Sequence, residues 1–194
     1  MKKIKYLNEW EKKELFKAIR QDTRKNGTRN LAIFLVAKYC ALRVSEIQMI
    51  RIDDYNPGLS QIYCRREKGS NNNTLRIVDP TVKNALDAYF AERLQISSDN
   101  QALFLSSHKK PISRQQLDVL FKQYSSFTSI ALDKRHFHVL KHTRAIELAD
   151  MGVNVQDIQW WLGHKKINNT LIYMQFTTKQ QEQLYLYLAK QETT

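Results

Sequence analysis

The chain has 194 residues, of which 42% are hydrophobic, so it suits one globular domain with a buried core and excludes a disordered polypeptide. A net charge of +12 and a pI near 9.7 favour a polyanionic partner, nucleic acid before an anionic membrane surface. The longest apolar run, LAIFLVA at 31–37, is far too short to span a bilayer. Cys40 and Cys64 form no CxxC pair. These features predict a nucleic-acid-binding protein of a reducing cytoplasm, without a membrane segment or a disulfide framework.

The first half of the chain predicts helices followed by a β-hairpin. Asn8 and Glu11 have the spacing of a capping box, which marks a helix start. The sequence KGSNNN separates two β-like runs and predicts a hairpin turn. The predicted elements are helices over 9–20, 28–42 and 45–50 and strands over 61–67 and 74–79.

The second half predicts helices only. Asp79 followed by Pro80 is a typical helix start, and Ser113 with Gln116 forms a second capping box. Gly152 and Gly163 suit left-handed helix ends. The predicted helices cover 79–94, 113–124, 138–152, 154–163 and 179–190. The expected fold class is mainly α with a small antiparallel β-sheet (α+β), in a single domain over residues 1–194.

Two basic residues stand where they could meet a phosphate. Arg43 lies between Leu42 and Val44 in ALRVSEI, and Glu46 follows three positions later, close enough on a helix to orient a guanidinium. A positioned guanidinium forms a planar fork that matches two phosphate oxygens. Lys68 lies at the lip of the predicted hairpin, from which a side chain can reach into a DNA groove. Taken singly, an arginine or a turn lysine is more often simply solvated.

The sequence HFHVLKH contains His136, His138 and His142, and the last two are one helical turn apart. This spacing raises a metal site as an alternative, but Val139 stands where HExxH requires glutamate, and no cysteine ligand is nearby. Without a metal, His138 and Lys141 share a helix face and can address one phosphate. No metal and no cofactor is predicted.

LGHKKINNTLIYMQ, residues 162–175, places Tyr173 nine positions after His164. A tyrosine nucleophile surrounded by arginine, lysines and histidines would suit attack on a phosphodiester, because cationic side chains can stabilise the transition state without magnesium. Covalent catalysis would also conserve the phosphodiester energy and allow the strands to be rejoined without a nucleotide.

The order ALRVSEI, KG at a hairpin, HVLKH, LGH and a tyrosine nine residues later resembles the catalytic domain of the tyrosine recombinase (phage integrase) family, over nearly the whole chain. The resemblance implies site-specific recombination through a 3′-phosphotyrosyl intermediate and a Holliday junction, with four protomers on two duplexes. It places a lysine that protonates the leaving 5′ oxygen at Lys68 and the HxxR motif at His138 to Lys141. The family's catalytic positions fall on Arg43, Lys68, His138, Lys141, His164 and the nucleophile Tyr173.

Two departures from the family pattern stand out. Lys141 occupies the place of the second arginine and offers a point donor rather than a fork. The chain also begins almost directly at the catalytic domain, without an N-terminal core-binding domain, and is then either a fragment or a short recombinase similar in size to the fimbrial phase-switch invertases.

Two alternatives remain open: relaxation of DNA in the manner of a type IB topoisomerase, and a DNA-binding relative with weakened catalysis. The helix over 179–190 favours the recombinase, because such helices commonly dock on a neighbouring protomer. The expected partners are double-stranded DNA, three further copies in a tetramer on DNA, and accessory DNA-bending or directionality proteins. The expected location is the bacterial cytoplasm or nucleoid.

Overall fold

The computed structural model describes residues 4–176, 185–186 and 188–189. In this part of the chain, α-helices surround a three-stranded antiparallel sheet, as the sequence predicts. The helices are α1 (Glu9–Arg20), α2 (Gly27–Tyr39), α3 (Val44–Met49), α4 (Pro80–Gln95), α5 (Arg114–Ser125), α6 (Val139–Asp150), α7 (Val155–Leu162) and α8 (Asn168–Met174). The strands are β1 (Tyr55–Asn56), β2 (Gln61–Cys64) and β3 (Asn73–Arg76), in the order β1-β2-β3.

Local signals in the sequence account for most helix ends. Asn8 accepts a hydrogen bond from the backbone of Glu11, and the Glu11 carboxylate accepts one from the Asn8 backbone, so the predicted capping box is confirmed. The Asp79 side chain caps α4 with Pro80 at its first position. Gly152 and Gly163 have φ of 82° and 68°, the left-handed geometry that glycine adopts without steric cost.

The predicted helix over 28–42 is three residues too long, because α2 ends at Tyr39. Ala41 has φ of 52°, and the backbone N–H of Leu42 donates back to the carbonyl of Ala37. The chain turns at this left-handed alanine, and Arg43 follows as the N-cap residue of α3. The strands are also shorter than predicted, and β1 was not predicted at all. Most of the predicted helix over 179–190 lies outside the described residues.

Two neighbouring apolar clusters hold the helices together. The larger one is centred on α2, whose residues are buried on nearly every side, and joins it to the sheet, α4 and α5. The smaller one joins α6, α7 and α8 and includes Tyr173. Trp161 packs against both clusters, and α6 contacts α2, α7 and α8. The segment that contains Tyr173 is therefore anchored on α6, which contains the HVLKH motif.

Among the described residues, no helix has the length and apolar character needed to cross a lipid bilayer.

Candidate active site

A buried carboxylate organises the cationic side of the site. Glu46 is fully buried at the start of α3 and accepts hydrogen bonds from the backbone N–H (2.8 Å) and the guanidinium (2.7 Å) of Arg43. The predicted orientation of Arg43 by Glu46 is thus confirmed. Burial alone would raise the pKa of Glu46, but the charges of Lys141, Arg66 and Arg43 together lower it below its usual value. Glu46 therefore stays ionised as the counter-charge of the cluster.

Arg66 is a structural member of this cluster that the sequence reading missed. Its side chain is completely buried and donates to the backbone carbonyls of Cys40, Ala41 and Trp161 and to the carboxylate of Glu46. These partners belong to the turn before Arg43, to α3 and to the end of α7. Arg66 consequently fixes the elements that position the site, and its lack of exposure leaves it no access to DNA.

Gly163 allows the hairpin turn to dock against the LGH segment. A Cβ at this position would lie 2.6 Å from the carbonyl oxygen of Asn71 and 3.0 Å from Arg66, so a larger residue is excluded there. The Asn71 N–H donates to the Gly163 carbonyl at 2.8 Å, and Ser70 pairs with His164 in an isolated β-bridge. The glycine of LGH thus brings the hairpin beside His164.

Lys141 is 1% exposed on α6, and its ammonium donates to the carbonyl oxygen of Leu162 at 3.1 Å. Burial lowers its pKa to about 7, and the carboxylate of Glu46 opposes that effect. Arg144, a neighbouring cation on the same helix, faces elsewhere. Its guanidinium lies 5.0 Å from the ring centres of Tyr39 and Trp161 and forms an ion pair with Glu147. Lys141 is therefore the cation of this helix that faces the cluster.

Tyr173 lies on α8 with 2% of its surface exposed. Burial raises the pKa of its hydroxyl to about 12, and the positive charge of Arg43 opposes the rise. The hydroxyl lies 2.8 Å from Nδ1 of His142, and the ring stacks on that of His164 with centroids 6.5 Å apart. The structure thus places the predicted nucleophile among histidines, and His142, absent from the predicted site, is its hydrogen-bond partner.

His164 and His138, the two histidines of the predicted site, differ in their partners. Nδ1 of His164 lies 2.9 Å from the hydroxyl of Thr170, and burial, followed by the charges of Lys141 and Arg43, lowers its pKa to about 3. His138 precedes α6 and keeps one side exposed, but the protein on its other side and the charge of Lys141 lower its pKa to about 4. Both imidazoles are neutral at pH 7. Within the described residues, no group of three or more histidine, cysteine, aspartate or glutamate side chains is arranged to hold a metal ion.

Five of the six predicted site residues thus lie in one region of the molecule, because the positive charge of Arg43 lowers the pKa of His138, Lys141, His164 and Tyr173. Lys68 is the exception. It lies in the predicted turn beside Ser70, whose hydroxyl accepts from Arg43 at 3.2 Å, but its own side chain is exposed and makes no hydrogen bond or ion pair with the described residues.

Residues 5–180 match the model of the phage integrase family. The chain belongs to this family. It is 30% identical over 173 residues to the type 1 fimbriae regulatory protein FimB of Escherichia coli, covering 89% of this chain and 84% of FimB. It is also 30% identical over 168 residues to the tyrosine recombinase XerD of Staphylococcus haemolyticus, covering 84% of this chain but 55% of XerD. The chain thus spans most of FimB and about half of XerD.

Solved structures have the same fold. The XerA recombinase matches with a TM-score of 0.78 and 28% identity, over 94% of this chain and 63% of XerA. The XerH site-specific recombinase, in a post-cleavage complex with its palindromic difH substrate, matches with a TM-score of 0.80 over 94% of this chain and 52% of XerH. At 19% identity, the second match shows the fold alone. The predicted family and fold class are confirmed.

Proposed function

We propose that the chain cuts and rejoins DNA as a site-specific recombinase, in integration, excision or inversion, with Tyr173 as the nucleophile. The observation that carries the proposal is a buried tyrosine that stacks on His164 and lies within electrostatic reach of Arg43, which Glu46, also the counter-charge of Lys141, holds in place. The relationship to FimB, XerD and XerA supports the same chemistry. Residues 1–194 act in this proposal as one catalytic domain, in the bacterial cytoplasm or nucleoid where the DNA lies.

The proposed roles are those that the family resemblance implies, and the positions of the side chains are compatible with them. Tyr173 Oη attacks the scissile phosphorus and forms the 3′-phosphotyrosyl bond. Arg43 supplies a guanidinium fork, and Lys141 supplies an ammonium, to the non-bridging oxygens. His138 and His164 are neutral and donate hydrogen bonds to the same phosphate, while Lys68 protonates the leaving 5′ oxygen. The exposure of Lys68 fits this last role, because the hairpin must meet DNA for it to act.

Double-stranded DNA is the proposed substrate, and a tetramer of this chain on two duplexes is the proposed working assembly. Accessory DNA-bending or directionality proteins complete the proposed set of partners. The net charge of +12 predicts that duplex affinity falls steeply as salt rises, through release of counterions. A slope near zero in a plot of log affinity against log salt would contradict a DNA-facing basic surface.

Covalent capture from a library of DNA duplexes tests the proposal and identifies the target site in the same experiment. Duplexes that contain a random segment and staggered nicks are incubated with the chain, and SDS-resistant complexes are isolated, amplified and sequenced. A nick beside the cleavage site releases a short fragment and traps the phosphotyrosyl bond. We expect one enriched motif. A library that yields no covalent complex would overturn the proposal and favour the catalytically weakened relative, and relaxation of supercoiled plasmid without strand exchange would favour the topoisomerase-like alternative.

A further inference from the structure

The Tyr173 hydroxyl has to lose its proton before or as it attacks phosphorus. Its pKa of about 12 means that the phenolate is scarce at neutral pH, and its 2% exposure restricts access of water to the oxygen. A proton acceptor within hydrogen-bond distance is therefore part of the chemistry. The residues assigned above leave this acceptor unnamed.

Three of the residues assigned above are poor candidates for this acceptor. The guanidinium of Arg43 offers only donors, and Nζ of Lys141 is engaged with the carbonyl of Leu162. Nδ1 of His164 is engaged with Thr170, and its ring stacks on the tyrosine ring with the centroids 6.5 Å apart. Within the described residues, His142 is the hydrogen-bond partner of the hydroxyl, with 2.8 Å between Nδ1 and the oxygen.

We propose that His142 is a further catalytic residue, the general base that accepts the phenolic proton of Tyr173. Its imidazole lies one helical turn from His138, with the rings perpendicular and 4.5 Å between centroids, so its orientation is constrained from that side. The inference rests on the proposed recombinase function and adds a residue to it.

The step balances as follows. A lone pair of Tyr173 Oη forms the bond to phosphorus, and the P–O5′ bond breaks with its electron pair going to the 5′ oxygen. The phenolic proton moves to His142 Nδ1, giving an imidazolium, while Lys68 supplies a proton to the 5′ oxygen. Rejoining reverses each transfer, so the imidazolium returns its proton to the departing tyrosine.

Electrostatic interactions couple the proton transfer to His142 to the binding of DNA. In the free protein, burial and then the nearby His138, His136 and Lys141 lower the pKa of His142 to about 3. The imidazole is then neutral and its Nδ1 lone pair is free to accept, but it is too weak a base to ionise the tyrosine. A scissile phosphate brings negative charge beside these groups, which favours the imidazolium. Proton transfer is therefore coupled to the arrival of substrate.

The tautomer of His142 tests the proposal without any DNA. The hydroxyl can donate to Nδ1 only if the ring proton is on Nε2, whereas a proton on Nδ1 would make the histidine the donor. Long-range ¹H–¹⁵N correlation spectra of the histidine-labelled chain report the tautomer, and His142→Gln assigns the signal. We expect an unprotonated Nδ1. A protonated Nδ1 in a chain that cleaves DNA would overturn this inference and leave the proposed function intact.

The second test of the His142 proposal is the rate of single-turnover cleavage of the captured duplex. His142→Gln keeps a polar group beside the tyrosine but cannot take the proton, so we expect about a 100-fold loss, at the low end for general-base catalysis. His108→Gln, in an exposed loop, is the matched control and should cleave at the wild-type rate. A wild-type rate for His142→Gln would refute the assignment.

A fluorinated nucleophile separates proton transfer from positioning. With 3-fluorotyrosine at position 173 the phenol is more acidic and depends less on a base, so the loss caused by His142→Gln should shrink several-fold. A role in holding the ring alone predicts the same loss with either tyrosine, and that result would overturn the proposal. Absence of cleavage by the wild-type chain would instead count against the proposed function.

Discussion

The cluster around Glu46 and the hairpin turn at Lys68 are the two halves of the proposed active site, and they differ in burial and in their contacts. Glu46 and Lys141 are almost completely buried, and each side chain hydrogen-bonds to a residue of another segment, Arg66 for Glu46 and Leu162 for Lys141. Lys68 is exposed and makes no hydrogen bond or ion pair with the described residues. The buried half is formed by folding itself, whereas the turn offers a cation whose partner must come from outside. A preformed pocket beside an open turn suits a protein in which DNA completes the site.

Tyr173→Phe should cause the largest loss, because it removes the proposed nucleophile from the buried half. We expect no covalent protein–DNA complex at any time, with duplex affinity retained in gel-shift titrations, since only one oxygen is lost. The free energy of unfolding should be about 1 kcal/mol lower than that of the wild type, because the hydrogen bond to His142 is lost. Tyr63→Phe in β2 is the matched control and should form complexes normally. A Phe variant that still forms them would mean that another residue is the nucleophile.

The variants Glu46→Gln and Lys68→Gln compare how much each half contributes to the free energy of unfolding. Loss of the Glu46 charge leaves Arg66 and Lys141 buried without their counter-charge, and breaking such a buried set typically costs about 3–5 kcal/mol. Lys68→Gln removes an exposed cation and should change stability by less than about 0.5 kcal/mol. Urea unfolding of both variants measures the difference. Equal free energies of unfolding would contradict the division into a folded half and an open half.

The sequence predicted the parts of the fold and of the site that depend on local rules. The capping box of Asn8, the glycine at 163 and the orientation of Arg43 by Glu46 each involve residues close in the chain. The missed features join distant segments. Arg66 meets Trp161 across 95 residues, and His142 meets Tyr173 across 31, and neither pairing leaves a periodic or local trace. The left-handed Ala41 was missed because alanine normally avoids that conformation.

Lys141→Ala should slow cleavage by about 100-fold or more, by analogy with the loss of one oxyanion donor at about 3–4 kcal/mol. Arg144→Ala is the matched control on the same helix. Because Arg144 packs on Tyr39 and Trp161, its loss should lower stability while leaving the cleavage rate of the folded protein unchanged. Single-turnover cleavage rates of the two variants show which residue supplies the second cation. A Lys141→Ala variant at the wild-type rate beside an inactive Arg144→Ala would reverse the assignment of the second cation.

Lys141→Arg should change the cleavage rate least of these variants, and its measurable effect is a change in how stability depends on pH. The folded-state pKa of Lys141 is lowered from 10.5 to about 7, so between these values the unfolded chain binds more protons than the folded one. Stability must then rise with pH across that window, by at most about 1.4 kcal/mol per pH unit from this group. An arginine stays protonated in both states and removes this contribution. Urea unfolding of both proteins from pH 7 to 10 should therefore give a steeper upward trend for the wild type. Parallel trends would show that Lys141 keeps its proton in the folded protein, and that its charge is balanced by Glu46 more fully than its burial indicates.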